Sequence, residues 1–424
     1  LFRQRLDLFP AATAAEAASL VRHRLETAGM PPVGPLVGVG FRDAVWPDRP
    51  TRELLDEAAG GRPVVLLSAD LHTVWLSTAA ASALGEGGAD LLREGDAFRV
   101  VQALDGLPDT LVDRWAIDAS RTAATRGVVG IVDLEMAWNR EVWLRRRALG
   151  ADALRVRFGV YPQHLDRALA EGLRSGDAVD NGGLIEVGTL KVLIDGSLNT
   201  RTAFCRHEYP DASALPSPHG ILTVPEDELE ELLRRAVAGG ITPTVHAIGD
   251  EANRVALDVY ERLGIGGRIE HAQLIADEDV PRFAALGVQA SVQPRHAVDD
   301  RDIAEHHWRG RTDRAFPYRS LLDAGAVLAF GSDAPVAPLD PWETIAAAVY
   351  RTGDDRPRWH PEQAVTVLEA LAASTRGRSD IAEGDLADLA VLDADPLAVT
   401  SAAALRSLPV AATLLGGRFT HRTL

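Results

Sequence analysis

Four side chains combine metal-binding or proton-carrying chemistry with a place at or near the end of a short apolar run. They are Lys191 in TLKVLI, His246 in TPTVH, His271 in RIEH and Asp333 just after AVLAF. Imidazole and carboxylate are the ligands that zinc and similar divalent ions prefer. A bound ion lowers the pKa of its water to roughly 7. A neighbouring carboxylate can take that water's proton and later deliver it to a departing amine. Asp333 is the candidate for this catalytic shuttle. The expected cofactor is a divalent metal, zinc first, as one or two ions. A lysine ammonium cannot bind a cation, but a lysine carboxylated by CO₂ becomes a carboxylate able to bridge two. Lys191 also has a plainer reading, as a strand-end lysine paired with Asp195 or Glu186.

These residues lie far apart in sequence, so only the fold can bring them together. The second half of the chain alternates short apolar β-type runs with amphipathic helical runs, which points to βα units and a parallel sheet. Strands are expected at 128–134, 155–161, 189–194, 242–246, 268–271, 288–292 and 326–330. That is seven strands in the manner of a (β/α)₈ TIM-like barrel, where eight are needed. The first is expected upstream of Leu1. In such a barrel the catalytic groups sit at the C-terminal ends of the strands. Residues 1–115 break the alternation and read as a large insertion after the missing first strand, with a helix at 14–28 and β-like runs at 35–40 and 63–67. Residues 116–380 carry barrel strands 2 to 8. Residues 381–424 form a small β unit, with strands at 387–392 and 410–415 and turns at 393–396 and Gly416-Gly417.

The composition narrows the function classes. Of 424 residues, 46% are apolar and 25% charged, an ordinary soluble mixture. The net charge of −17 argues against a nucleic-acid surface, which needs clustered Lys and Arg. No run approaches the roughly 18 apolar residues of a membrane span. Cys205 is the single cysteine, which excludes an intrachain disulfide and a cysteine zinc site, and no base accompanies it for nucleophilic work. A reducing, cytoplasmic setting fits. The expected partner is a small-molecule substrate, and the acidic surface is compatible with a homodimer.

Six ordered runs carry a family resemblance: VLIDGSLNTRTAF (192–204), VHAIGDEA (245–252), RIEHAQ (268–273), ASVQPRHAVDD (290–300), FGSDAPVAPLDPWE (330–343) and GDLADLAVLDADP (384–396). Together they resemble the amidohydrolase superfamily, and more narrowly the branch that includes N-substituted formamide deformylases. SADLHTVWLSTAA (68–80) resembles that branch's inserted region. The resemblance implies a barrel with a flanking β-sandwich, of which 381–424 is the C-terminal part. It implies His246 and His271 as metal ligands, Asp333 as ligand and proton shuttle, and Lys191 as a carboxylated bridge. His72 and His296 match positions on the substrate side. Arg201, in NTRTA, could bind a substrate carboxylate or carbonyl, or a structural carboxylate. The family's first strand carries a His-x-His pair, and none occurs here; His306-His307 are adjacent. That pair is expected upstream. The implied function is metal-dependent hydrolysis of an amide, formamide or related C–N bond. The alternatives are a non-catalytic binding relative and a metal-free barrel lyase or isomerase, though no phosphate-cradle signal supports the latter.

Overall fold

A computed structural model describes residues 5–31, 34–87, 89–104, 108–210, 215, 217–378 and 380–423. It divides into two compact units, one comprising residues 1–112 with 196–202, the other 113–195 with 203–424.

The first unit is built on a five-stranded sheet, β1 (Leu6–Asp7), β2 (Leu36–Phe41), β3 (Val64–Ser68), β4 (Thr73–Leu76) and β5 (Leu91–Arg93), with strands in sequence order. β1, β2 and β3 run parallel; β4 and β5 are antiparallel. Period-two alternation splits β3 between two cores. Val64 and Leu66 face helices Ala14–Thr27 and Arg52–Ala59, while Val65 and Leu67 face helices Thr78–Leu84 and Gly95–Leu104. Thr13, Thr51 and Ser77 cap three of these helices, their side chains accepting from the first turn.

The second unit contains β6 (Gly130–Asp133), β7 (Arg155–Val160), β8 (Ile185–Leu193), β9 (Pro243–Ala247), β10 (Gly267–His271), β11 (Val288–Val292) and β12 (Leu328–Phe330). They form one all-parallel sheet in sequence order, β6 to β12. β9 is buried along its whole length, as strands covered on both faces are. A flat sheet would hold β8 and β12 about 19 Å apart, four spacings of ~4.8 Å. Yet the Asp333 carboxylate beyond β12 acts electrostatically on Lys191 in β8 and on Tyr161 beyond β7. The sheet is therefore curled, and the C-terminal strand ends converge.

The chain closes with β13 (Leu389–Leu392), β14 (Val410–Leu415) and β15 (Arg418–Arg422), an antiparallel sheet of three strands where two are expected from the sequence. Gly416 and Gly417, at φ 56° and 78°, make the two-residue turn from Leu415 to Arg418. Both positive φ values suit the right-handed twist of a hairpin. Arg155 on β7 ties this sheet down through a two-pronged ion pair with Asp388, and Thr413 Oγ1 donates to Ala124 O at 2.6 Å. Among the described residues no helix is long and apolar enough to cross a membrane.

Candidate metal centre

Adjacent parallel strands deliver the candidate residues. β8 carries Lys191, β9 carries His246 and β10 ends on His271. Helix Pro294–Asp299, directly after β11, carries His296, and Asp333 follows β12. Ligand atoms of His271, His296 and Asp333 all lie within 4.8 Å of one another. The His246 and His271 rings meet edge to face at 4.4 Å, and the His271 and His296 rings stack at 6.0 Å. The three histidines and Lys191 are buried, whereas the Asp333 side chain is 42% exposed. The imidazoles thus form a floor, and Asp333 stands at its solvent side.

Backbone strain marks the same spots. His271 has φ 77°, Ala272 φ 44° and Asp333 φ 56°, in the left-handed region that non-glycine residues avoid. Such strain costs about 1–3 kcal/mol per residue and collects at functional sites, where the surrounding structure must hold it. Here the loops after β9 and β10 hold it. Ala272 N donates to Ala247 O, Leu274 N donates to Ile248 O, and the Asn253 amide donates to Ala247 O, Gly249 O and Leu274 O.

Charge is handled unusually. Burial pushes the Lys191 ammonium below its ordinary pKa, against the pull of Glu270 and Asp333. The plain pairing with Glu186 or Asp195 is not what the structure shows. Glu186 accepts from Arg157 at 2.7 Å, and Asp195 accepts from the backbone N–H groups of Phe204, Ile248 and Gly249. Burial raises the Tyr161 phenol, and the charges of Glu135, Asp333, Asp133 and Glu270 raise it further. Tyr161 donates to Leu134 O.

The donor set fits a divalent ion. His296 Nε2 is buried without a hydrogen-bond partner, 3.8 Å from Asp333 Oδ2, while Gln273 Nε2 lies 3.4 Å from its Nδ1. Buried polar atoms are normally paired, so an unpartnered ring nitrogen beside a carboxylate marks a place for a cation, which would replace the proton that Nε2 carries while Gln273 donates to Nδ1. Two imidazoles and a carboxylate form the borderline N/O set that zinc and its neighbours take.

The structure thus gathers Lys191, His246, His271, His296 and Asp333. His72 and Arg201 belong to the other unit. There His72 Nδ1 lies 2.8 Å from Glu94 Oε2, and Arg201 holds a tight turn at φ 59°, its N–H donating to Leu198 O. Sequence reading did not single out Glu270 or Tyr161, named Asp195 only as a partner for Lys191, and placed His296 on the substrate side; a ring nitrogen of His296 lies within 4.8 Å of ligand atoms of His271 and Asp333. Glu270, next to His271 in RIEH, was the one signal in plain view.

Residues 2–421 match the model of the amidohydrolase family. The chain is 28% identical to YtcJ of Bacillus subtilis over 91% of this chain and 79% of that protein. It is 27% identical to the N-substituted formamide deformylase of Arthrobacter pascens, over 87% and 75%. An uncharacterized metal-dependent hydrolase from Pyrococcus horikoshii superposes with a TM-score of 0.72 at 25% identity, covering 94% of this chain and 83% of that one. The curled parallel sheet, the histidines at its strand ends and a family match across nearly the whole length agree: this chain belongs to the amidohydrolase family.

Proposed function

We propose that the protein is a metal-dependent hydrolase that cleaves a C–N bond, an amide or formamide, in a small molecule by attack of water. The observation that carries this reading is the convergence of His271, His296 and Asp333 donor atoms within 4.8 Å, three groups at or just beyond the C-terminal ends of three successive strands. The kinship to a formamide deformylase and to a metal-dependent hydrolase supports the bond type and the metal.

His271, His296 and Asp333 would hold the ion, zinc first, with His246 beside them and Lys191, in carboxylated form, as the bridge if a second is bound. The ion supplies Lewis acidity and an acidified water near neutral pH. The protein's own groups do the rest. Asp333, with 42% of its side chain exposed, is open to water and substrate from the solvent side. It takes one proton from the water as the new C–O bond forms. It returns that proton to the nitrogen as the C–N bond breaks, so the amine leaves neutral. The buried imidazoles exclude bulk water from the inner side. Lys191, its neutral form favoured by burial, could add to CO₂ with loss of one proton, which would give a carboxylate able to serve as a ligand.

The test is metal content after reconstitution with zinc, followed by amine release from a panel of N-formyl and N-acyl amines beside dipeptides. Bound zinc that is lost in His271→Ala and amine release from the panel support the reading. A full-length protein that takes up no divalent ion ends it. Turnover of dipeptides alone would keep the hydrolase and discard the bond class.

A further inference from the structure

The Asp195 carboxylate is fully buried yet contacts no arginine or lysine side chain by hydrogen bond among the described residues. Its Oδ2 accepts from Phe204 N at 3.0 Å and Gly249 N at 2.9 Å, and Ile248 N lies 3.1 and 3.2 Å from its two oxygens. Its Oδ1 lies 3.3 Å from His246 Nε2. The backbone there is closely fitted: a Cβ on Gly249 would come within 2.0 Å of Phe204 O. Asp195 is therefore clamped in place by three N–H groups, with one oxygen aimed at a histidine ring.

A neutral imidazole has one N–H and one lone pair, and the hydrogen bond at one nitrogen decides which is which. We propose that Asp195 is a positioning residue: its Oδ1 accepts the Nε2 proton of His246 and so leaves Nδ1 as the lone-pair nitrogen for the metal. This rests on the metal reading given above. A carboxylate can only accept, so the opposite tautomer would set two acceptors against each other in a dry site. The clamp also fixes the ring's orientation, because Ile248 and Gly249 lie only two and three residues after His246 in the chain.

Asp195→Asn inverts this logic. The amide oxygen stays with Phe204 and Gly249, and the NH₂ turns to His246. It would donate to Nε2 and move the proton to Nδ1, a tautomer unable to bind metal through that nitrogen. Losing such an outer partner lowers metal affinity by about 10–100-fold.

The experiment uses the full chain labelled with ¹⁵N-histidine, freed of metal, in long-range ¹H–¹⁵N correlation spectra, with the His246 signals assigned by His246→Gln. Zinc affinity is measured by chelator competition. The expected result is an Nε2–H ring in the wild type, an Nδ1–H ring in Asp195→Asn, and zinc affinity down 10–100-fold. A wild-type ring protonated at Nδ1 overturns the proposal, and that spectrum decides even if the variant does not fold. A variant that melts earlier but keeps both tautomer and zinc affinity also overturns it, leaving Asp195 a structural clamp. A wild type that shows the Nε2–H ring but binds no zinc upholds the pairing and removes the metalloenzyme reading instead.

Discussion

Two buried polar clusters, one in each unit, contain the same kinds of side chain and are wired in opposite ways. In the first unit Glu94 is saturated. His72 lies on one oxygen, and the hydroxyls of Thr200 and Thr202 donate to the other. Asp70 is treated alike, accepting from Ser68 and from Ser197 at 2.6 Å. In the second unit His296 Nε2 and Glu270 Oε1 are buried without a hydrogen bond, and His271 and Asp333 sit on strained backbone. A saturated carboxylate has no capacity for a ligand and serves as a joint. A cluster with buried polar atoms left unpaired is costly unless a ligand pairs them. Composition does not separate the two clusters; hydrogen-bond accounting does.

The largest effect that would sharpen this contrast is Asp333→Asn, expected to lower kcat by roughly 10²–10⁴-fold while the fold and most bound metal persist. Wild-type turnover in that variant would remove Asp333 from the proton path. Next comes His296→Ala, expected to weaken zinc binding by at least the ~10–100-fold that loss of an outer partner costs. If zinc binding is unchanged and only KM rises, His296 is a substrate contact and the donor set is smaller.

Glu94→Gln tests the other side. It turns an NH₂ toward hydroxyls and a ring that need an acceptor, so thermal unfolding should show a loss of about 1–3 kcal/mol, with zinc content unchanged. Zinc loss in this variant would break the contrast. The same residue has a pH signature. Burial pushes its pKa up, but the His72, Thr202 and Thr200 hydrogen bonds and the His72 charge outweigh that, bringing it from the ordinary 4.5 to about 2. Between those values the unfolded chain binds the extra proton, so this contribution to stability is complete above about 4.5 and fades as pH falls toward 2. A melting curve of Glu94→Gln that tracks the wild type in parallel down this window would contradict it. The smallest effect concerns Cys205, whose thiol burial raises to about 12. It should resist alkylation at pH 8 until the protein unfolds, and rapid native labelling would show that its surroundings open.

The parallel strands were legible because each is an apolar run between turn residues. TPTVH and VQASV became β9 and β11 almost residue for residue. β15 was not, since RFTHR has a strand's backbone but a loop's polarity, and its pairing depends on a glycine turn. β4 and β5 were too short to signal themselves. His246, His271 and Asp333 could be picked out by type and strand-end position. The grouping of His296 with them could not, because one residue of helix phase decides whether a ring after β11 turns toward its neighbours. Asp195 was visible only as a partner for Lys191, because its actual partners are backbone N–H groups with no sequence signature and a distant histidine ring. The left-handed φ of His271 and Asp333 is imposed by tertiary packing against local preference.

Gly196–Thr202 pack with the first unit although they follow β8 in the chain. Glu94 takes its hydroxyl donors from positions 106 and 108 residues further on, and Asp70 takes one from 127 residues on. Such contacts raise contact order, and the closure entropy must be met before they stabilise anything. During synthesis the sheet and helices of residues 1–112 leave the ribosome well before the hydroxyls that complete them. Until then both carboxylates remain hydrated charges. The unit of residues 1–112 is therefore completed late, its polar joint being set only after β8, the strand bearing Lys191, has been synthesised.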